Sequence, residues 1–356
     1  MNNRVEHIDI AKGISITLVA LVHSKLASFF PEIIDSMSLF RMPLFFFLSG
    51  VFFSFSTPPK LFILKKSEAL LKPYFSVLLL LFVIDVIFQN DNLLLQLQGI
   101  FYGNGETLRW VQMWFLTHLF TVYCFSYVLF RFTHFNLLPL PIKMFVLMLL
   151  LLLGGLYVDT FWLKEITIAG KVSVLPGLPF SIDILLISSS FFISGYLMRN
   201  KIIGFSPHRY LLVFACFIFV CIIFFTKSYT DLNKRIYEAA ITASIGAISG
   251  IYIVMCISVL LVKHNAFKVI FQKLGAGSLF ILIFHYVIHW KVYTFISSGD
   301  INYSIGLVFA VVAFILSVSL PLLIQEMVYR NNYLALFFLP FKSNKLFTRK
   351  LTEDPE

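Results

Sequence analysis

Ten stretches of this chain run apolar for about 18–25 residues, the length at which a helix crosses a hydrocarbon core. They lie at approximately 10–30, 37–56, 73–89, 110–131, 141–158, 181–199, 209–226, 239–262, 275–292 and 303–329. Lipid offers no partner to backbone N–H and C=O groups, so such segments must satisfy themselves as helices or in a closed barrel. The short alternating segments of a barrel are missing. Composition agrees: 59% of residues are hydrophobic and 13% charged, too little charge to clothe a water-soluble surface. The expected fold is an all-α, polytopic integral membrane protein with about ten transmembrane helices. The first run carries Lys12 and His23 and has no small-residue cleavage site, so it reads as a span rather than a signal peptide.

The formal net charge of +10 suggests an anionic partner until its distribution is traced. With the N-terminus in the cytoplasm, the inward side collects 19 of the 28 Lys and Arg residues and the outward side 9. The positive-inside rule then sets both termini in the cytoplasm. Acids lean outward, among them Glu32, Asp35, Glu106, Asp159, Glu165 and Asp231. The basic balance is topology, and no nucleic-acid partner is expected. No composition break separates a second folded domain. Residues 1–332 read as one transmembrane domain. Residues 333–356 read as a cytoplasmic tail, apolar-aromatic to Phe341 and then basic, suited to the lipids of the inner leaflet. The outward segment 159–180, the longest external loop, suits an outward acceptor site or, equally, a plain connector. The four cysteines all fall in apolar runs without metal-site spacing and read as packing residues.

Ionisable residues inside spans are costly and are functional suspects by default. Lys12 and His23 are eleven residues apart, which brings them onto one helix face about 16 Å apart along the axis. Asp9, one turn before Lys12, lies near the same stripe. A cation near the inner surface and an imidazole midway across suit a ligand that enters from the cytoplasm. The cation would hold phosphate or pair with a carboxylate; the imidazole would take a proton from a hydroxyl. The competing reading has Lys12 reaching to the headgroups and His23 bonding between helices. Arg41, near the outward end of the second span, suits an acceptor contact or an interfacial anchor. Trp114 and His118 share a face at i, i+4. His285 and His289 have the spacing of a helical metal site, but without nearby carboxylates they read as structural, and no metal is expected. Asp85 and Asp183 lie near outward span ends, within reach of solvent.

The stretch Ile8-Asp9-Ile10-Ala11-Lys12-Gly13-Ile14, followed by His23-Ser24, resembles the first helix of the membrane-bound acyltransferase family 3, with its basic residue, ten intervening residues and histidine. Phe40-Arg41-Met42-Pro43-Leu44-Phe45-Phe46-Phe47-Leu48-Ser49-Gly50 is similar to that family's second-span stretch. Trp114-Phe115-Leu116, Phe192-Ile193-Ser194-Gly195-Tyr196, Leu274-Gly275-Ala276-Gly277-Ser278-Leu279 leading to His285, and the late Glu326 follow in the family's order. The resemblance implies transfer of an acyl group, most often acetyl, from acetyl-CoA or another acyl-CoA to a hydroxyl of a surface or lipid-linked polysaccharide. In that reading Lys12, Lys66 and Lys72 hold the donor's phosphates and His23 is the base, or carries the acyl group itself. Ser49, Trp114 and Ser24 are candidate oxyanion donors, and Glu326 pairs with Lys12 or another cation. The chain departs from the family at Ala69, where the second of two basic residues three apart is usual. A bacterial inner membrane and glycan-assembly partners belong to the same expectation. Two other functions stay open. A transporter would show paired repeats, and no convincing repeat is found. A non-catalytic partner of a glycan assembly complex would bind without turnover.

Overall fold

The computed structural model describes residues 5–89, 92–168, 171–297 and 302–341; residues 342–356 of the expected tail lie outside them. Helices of seven residues or more are α1 (Glu6–Val22), α2 (Ser38–Val51), α3 (Pro59–Lys66), α4 (Lys72–Ile87), α5 (Leu93–Tyr102), α6 (Trp114–Phe132), α7 (Leu140–Tyr157), α8 (Leu185–Leu197), α9 (Arg209–Phe225), α10 (Ala240–Val262), α11 (Asn265–Ala276), α12 (Ser278–Ile296), α13 (Tyr303–Arg330) and α14 (Asn332–Phe338). Eight helical segments among the described residues are long and apolar enough to cross a membrane, and each overlaps one of the ten expected spans, Pro59–Ile87 starting well before the expected 73–89. The remaining two expected spans, 10–30 and 209–226, correspond to α1 and α9, each 17 residues long. The fold is a nearly all-helical polytopic membrane protein. Side chains such as Leu80, Phe88 and Phe224 are exposed, as a lipid-facing surface requires.

The chain divides into two compact units. The first comprises residues 1–52, 147–155 and 190–325. Its central helix is α1, which packs against α11, α10, α12 and α2. Close helix approach in lipid needs small residues where backbones cross, and here the glycines supply it. A Cβ on Gly13 would lie 2.1 Å from the Phe271 carbonyl oxygen, and one on Gly275 2.4 Å from that of Asp9, so α1 and α11 touch backbone to backbone. The same reciprocity joins α2 to α8. A Cβ on Gly50 would fall 1.8 Å from the Phe192 oxygen, and one on Gly195 2.0 Å from the Phe47 oxygen. An ion pair of Lys268 with Glu6 adds to the α1–α11 seam.

The second unit comprises residues 53–146, 156–189 and 326–356. Here α6 packs on a π-helical turn, Ser67–Leu71, that joins α3 to α4, and on the 3₁₀ segment Pro179–Ile184. Helix α4 carries α5 on one side and α14 on another. The expected external loop at 159–180 contains a β-hairpin, β1 (Trp162–Ile168) and β2 (Lys171–Pro176), antiparallel with a register shift between Trp162 and Lys164. Two carboxylates expected within reach of solvent are buried instead. Asp85, 1% exposed, is ion-paired with Arg109, and Asp183 accepts the Leu178 N–H at 3.2 Å. A charge moved out of water survives only with such partners. Of the cysteines, Cys256 is buried as packing predicts, whereas Cys216 is exposed on α9.

Candidate functional site

In the first unit the candidate residues gather along α1. Lys12 lies within 3.8 Å of the Asp9 carboxylate, the pairing that their i, i+3 spacing predicts, and 4.4 Å from the Phe52 ring centroid. About a third of the Lys12 side chain is exposed. At the other end, α1 stops at Val22 and His23 is its C-cap, with φ −88° and ψ 1°. The expected continuous span is therefore broken in its middle. Ser24 makes the break: its hydroxyl donates to the Leu21 carbonyl at 2.7 Å and accepts the Leu26 N–H at 3.2 Å. These bonds engage backbone groups left over where the helix ends. They also assign the Ser24 side chain to the turn rather than to an oxyanion.

His23 is exposed, and no hydrogen bond holds its ring among the described residues. Its neighbours are the His285 ring, with centroids 5.5 Å apart, and the Tyr286 ring, edge-on at 6.2 Å. Besides His285, the cationic side chains whose field is felt at His23 are Arg41 and Lys234, neither of them bonded to the ring among the described residues. Arg41 is 8% exposed and leaves Nη1 without a hydrogen-bond partner; Asp231, Tyr229 and Asp35 provide the opposing field. Burial, reinforced by Asp231 and Asp35, pushes the Tyr229 phenol up. Ser49 donates to the Phe45 carbonyl of its own helix at 2.8 Å.

The second unit holds the other candidates. The Lys66 ammonium sits 3.5 Å from the Tyr123 ring centroid and 6.0 Å from that of Phe62, a cation on aromatic faces with no carboxylate bound to it among the described residues. Lys66 immediately precedes the π-helical turn, and Ala69 lies within that turn. Lys72 is spoken for: its Nζ donates to the Leu339 carbonyl at 2.6 Å and stacks 3.8 Å from the Phe341 centroid. Trp114 and His118 do share a face, their rings 5.7 Å apart. His118 is wholly buried between the Phe180 carbonyl at 3.3 Å and the Ser188 hydroxyl at 2.8 Å. That carbonyl belongs to a kink in which Phe180 and Ser181 both have positive φ, 54° and 53°. His118 thereby holds a strained turn in place. Glu326 takes Arg330 as its cation, at 2.7 Å on an exposed surface.

Two constellations therefore stand apart from the purely structural contacts: an unengaged imidazole at the end of α1, with Lys12 towards its start, and an uncountered ammonium at Lys66. An accessible imidazole can take a proton from a hydroxyl, and an ammonium can hold phosphate. A family model described as an acyltransferase domain matches residues 5–326. The chain belongs to the membrane-bound acyltransferase family 3. No curated protein and no solved structure matches it.

For this acyltransferase the motif glycines have a physical meaning that the sequence did not disclose. Gly13, Gly50, Gly195 and Gly275 are crossing points of backbones. What the sequence did not show is which groups from elsewhere in the chain surround His23. Lys234 comes from a connector with no local signal. His285 was visible through its i, i+4 pairing with His289, but that pairing gave no hint of which residue it faces. The two histidines gather no third ligand for a metal among the described residues.

Proposed function

We propose that this acyltransferase takes an acyl group, most simply acetyl, from a coenzyme A thioester at the cytoplasmic face of a bacterial inner membrane. It places that group on a hydroxyl of a surface or lipid-linked polysaccharide. The observation that carries the reading is His23, an accessible imidazole within a span, engaged by no hydrogen bond among the described residues. It stands at the end of a helix whose beginning carries Lys12.

His23 accepts the proton of the sugar hydroxyl as its oxygen attacks the thioester carbonyl; the new C–O bond forms, the C–S bond breaks, and the departing thiolate takes the proton from His23. Coenzyme A is polyanionic and stays in the cytosol, so its phosphates need cations at the inner face. Lys66, with no carboxylate of its own among the described residues, is the best suited of the three lysines. Lys12 shares its charge with Asp9, and Lys72 is bound to the Leu339 carbonyl. A single lysine at this place, with Ala69 where the family has a second cation, makes a point-charge contact rather than a bidentate one. The excess of Lys and Arg in the loops assigned to the inner side supports a topology with both termini in the cytoplasm. Membrane lipids surround the enzyme, and proteins that assemble the glycan are its natural partners.

Mass spectrometry of surface polysaccharide from cells with the wild-type gene, a deletion, and His23→Ala tests this. The expected result is an acyl mass increment present in the wild type and lost in the other two, with the variant protein at normal level in the membrane. An increment that survives in His23→Ala overturns the catalytic role. A polymer identical in all three overturns the acceptor.

A further inference from the structure

His285 has an unsatisfied buried nitrogen, and the surrounding geometry says what should satisfy it. The residue is 1% exposed in the middle of α12. Its Nδ1 lies 2.7 Å from the Ile281 carbonyl and 3.0 Å from that of Leu282. Carbonyls only accept, so Nδ1 carries the ring proton and Nε2 is left with a bare lone pair. That Nε2 has no hydrogen-bond partner and almost no access to solvent. A buried acceptor left empty is costly, and native structures leave few of them. Because solvent hardly reaches Nε2, a protein group is the natural donor. The Tyr286 ring is edge-on to His23, in packing geometry.

The imidazole against His285 is His23, with ring centroids 5.5 Å apart and planes tilted by 41°. Two imidazoles joined by one N–H···N bond of about 3 Å, with ring radii of about 1 Å each, have centroids about 5 Å apart. His23 caps a helix end and its ring is accessible, so it is the partner free to turn towards His285. His285 is fixed by two carbonyls of its own helix. One turn on, His289 performs the same service for the backbone of the break: its Nε2 accepts the Lys25 N–H at 2.8 Å. Helix α12 thus presents two imidazoles with unprotonated Nε2 atoms to the segment where α1 ends, one accepting the Lys25 N–H and the other on the residue that faces His23.

We propose that His285 is a positioning residue for His23. Its Nε2 accepts the ring N–H of His23, which fixes the His23 tautomer and leaves the other His23 nitrogen bare for the acceptor hydroxyl. The inference rests on the acyltransfer reading above and adds to it the group that orients the base.

The test compares His285→Leu, which removes the acceptor at similar volume, with His285→Gln, whose carboxamide oxygen restores one. Membrane vesicles carrying each protein are given acetyl-CoA over a range of concentrations, with polysaccharide extracted from the deletion strain, and coenzyme A thiol release is followed. His285→Leu should lose about a hundredfold in kcat, within the range of general-base contributions, with KM for acetyl-CoA unchanged. His285→Gln should recover at least about tenfold of that loss. Wild-type kcat in His285→Leu overturns the inference while leaving the acyltransfer reading intact, provided His23→Ala is inactive. Equal inactivity of the Leu and Gln variants, both folded by thermal unfolding in detergent, also overturns it, since the ring would then serve packing alone. Should His285→Leu fail to reach the membrane, His285→Met takes its place under the same criteria. Thiol release by the wild type no faster than by His23→Ala fails the underlying reading, and this inference with it.

Discussion

Each unit is tied internally in its own dominant way, although Gly99 of the second also backs onto the Thr107 carbonyl and His7 of the first lies 2.8 Å from the Ile202 carbonyl. In the first, helices meet at glycines, with one backbone pressed against the next: α1 on α11, and α2 on α8. In the second, polar side chains reach across to loop carbonyls. The Tyr74 hydroxyl donates to Ile100 at 2.7 Å, Tyr127 to Thr57 at 2.8 Å, and Asn104 to Pro176 at 2.6 Å. A backbone crossing has no slack, because any side chain atom lands inside a carbonyl. A side-chain tether can be lost singly, at the cost of one hydrogen bond. The first kind of construction suits a segment whose end must be held still, and α1 ends at His23. The second suits a region of kinks and turns such as Phe180–Ser181.

The sharpest way to break this contrast is Gly50→Leu. A Cβ at that position would lie 1.8 Å from the Phe192 oxygen, so the variant should fail to give folded protein, read as loss of the monodisperse peak in detergent size exclusion. Gly204→Ala is its control, since the added carbon meets only the Asn200 oxygen at 3.6 Å, and it should behave as wild type. A folded, active Gly50→Leu would mean that α2 and α8 can separate and that the crossing is not rigid. Next in size, Asn104→Ala removes the bond to Pro176 and the cap on the Thr107 N–H from a fully buried position. It should cost about 1–3 kcal/mol, measured by thermal unfolding against wild type. Tyr127→Phe should cost about 1 kcal/mol in the same measurement. Larger losses than these would erase the difference between the units. At the bottom of the scale, Glu326→Gln cuts an exposed ion pair and should move stability by less than about 1 kcal/mol. Any larger loss of acyl transfer in that variant would then report a role in the reaction. Lys66→Ala tests function in the second unit: it should raise KM for acetyl-CoA about tenfold while costing about 1 kcal/mol of stability, the worth of its contact with the Tyr123 ring. An unchanged KM removes Lys66 from the donor site.

Much of this architecture was legible in the sequence because lipid imposes a length and a polarity on every span. Eight of the expected spans are helices of sufficient length. The Asp9–Lys12 pair and the shared face of Trp114 and His118 follow from helical periodicity alone. The break after Val22 was not legible: a serine such as Ser24 is common inside spans, and the second group that holds the turn, His289, which accepts the Lys25 N–H, lies 264 positions away. Nor was the burial of Asp85, whose charge is matched by Arg109 from a separate segment. The hairpin at 162–176 escaped notice because an apolar register is hard to read in two short strands, where Leu163, Val172 and Val174 are exposed. The resemblance to the family located His23, but only the packing of α12 against the end of α1 brings His285 to face it. Lys72 looked like a spare cation for the donor, and the tail carbonyl that occupies it comes from Leu339, far along the chain.

The reciprocal seating of Gly50 and Gly195 has an evolutionary consequence. Each glycine accommodates a carbonyl from the helix that carries the other, Phe192 for Gly50 and Phe47 for Gly195. A larger residue at either position forces the same two helices apart, and no change at the other can restore the contact, since glycine already has the smallest side chain. Such a pair cannot drift by compensation. Lineages that keep the crossing keep both glycines, and a descendant lacking either one has rebuilt the packing around α2, one of the helices that rest on α1.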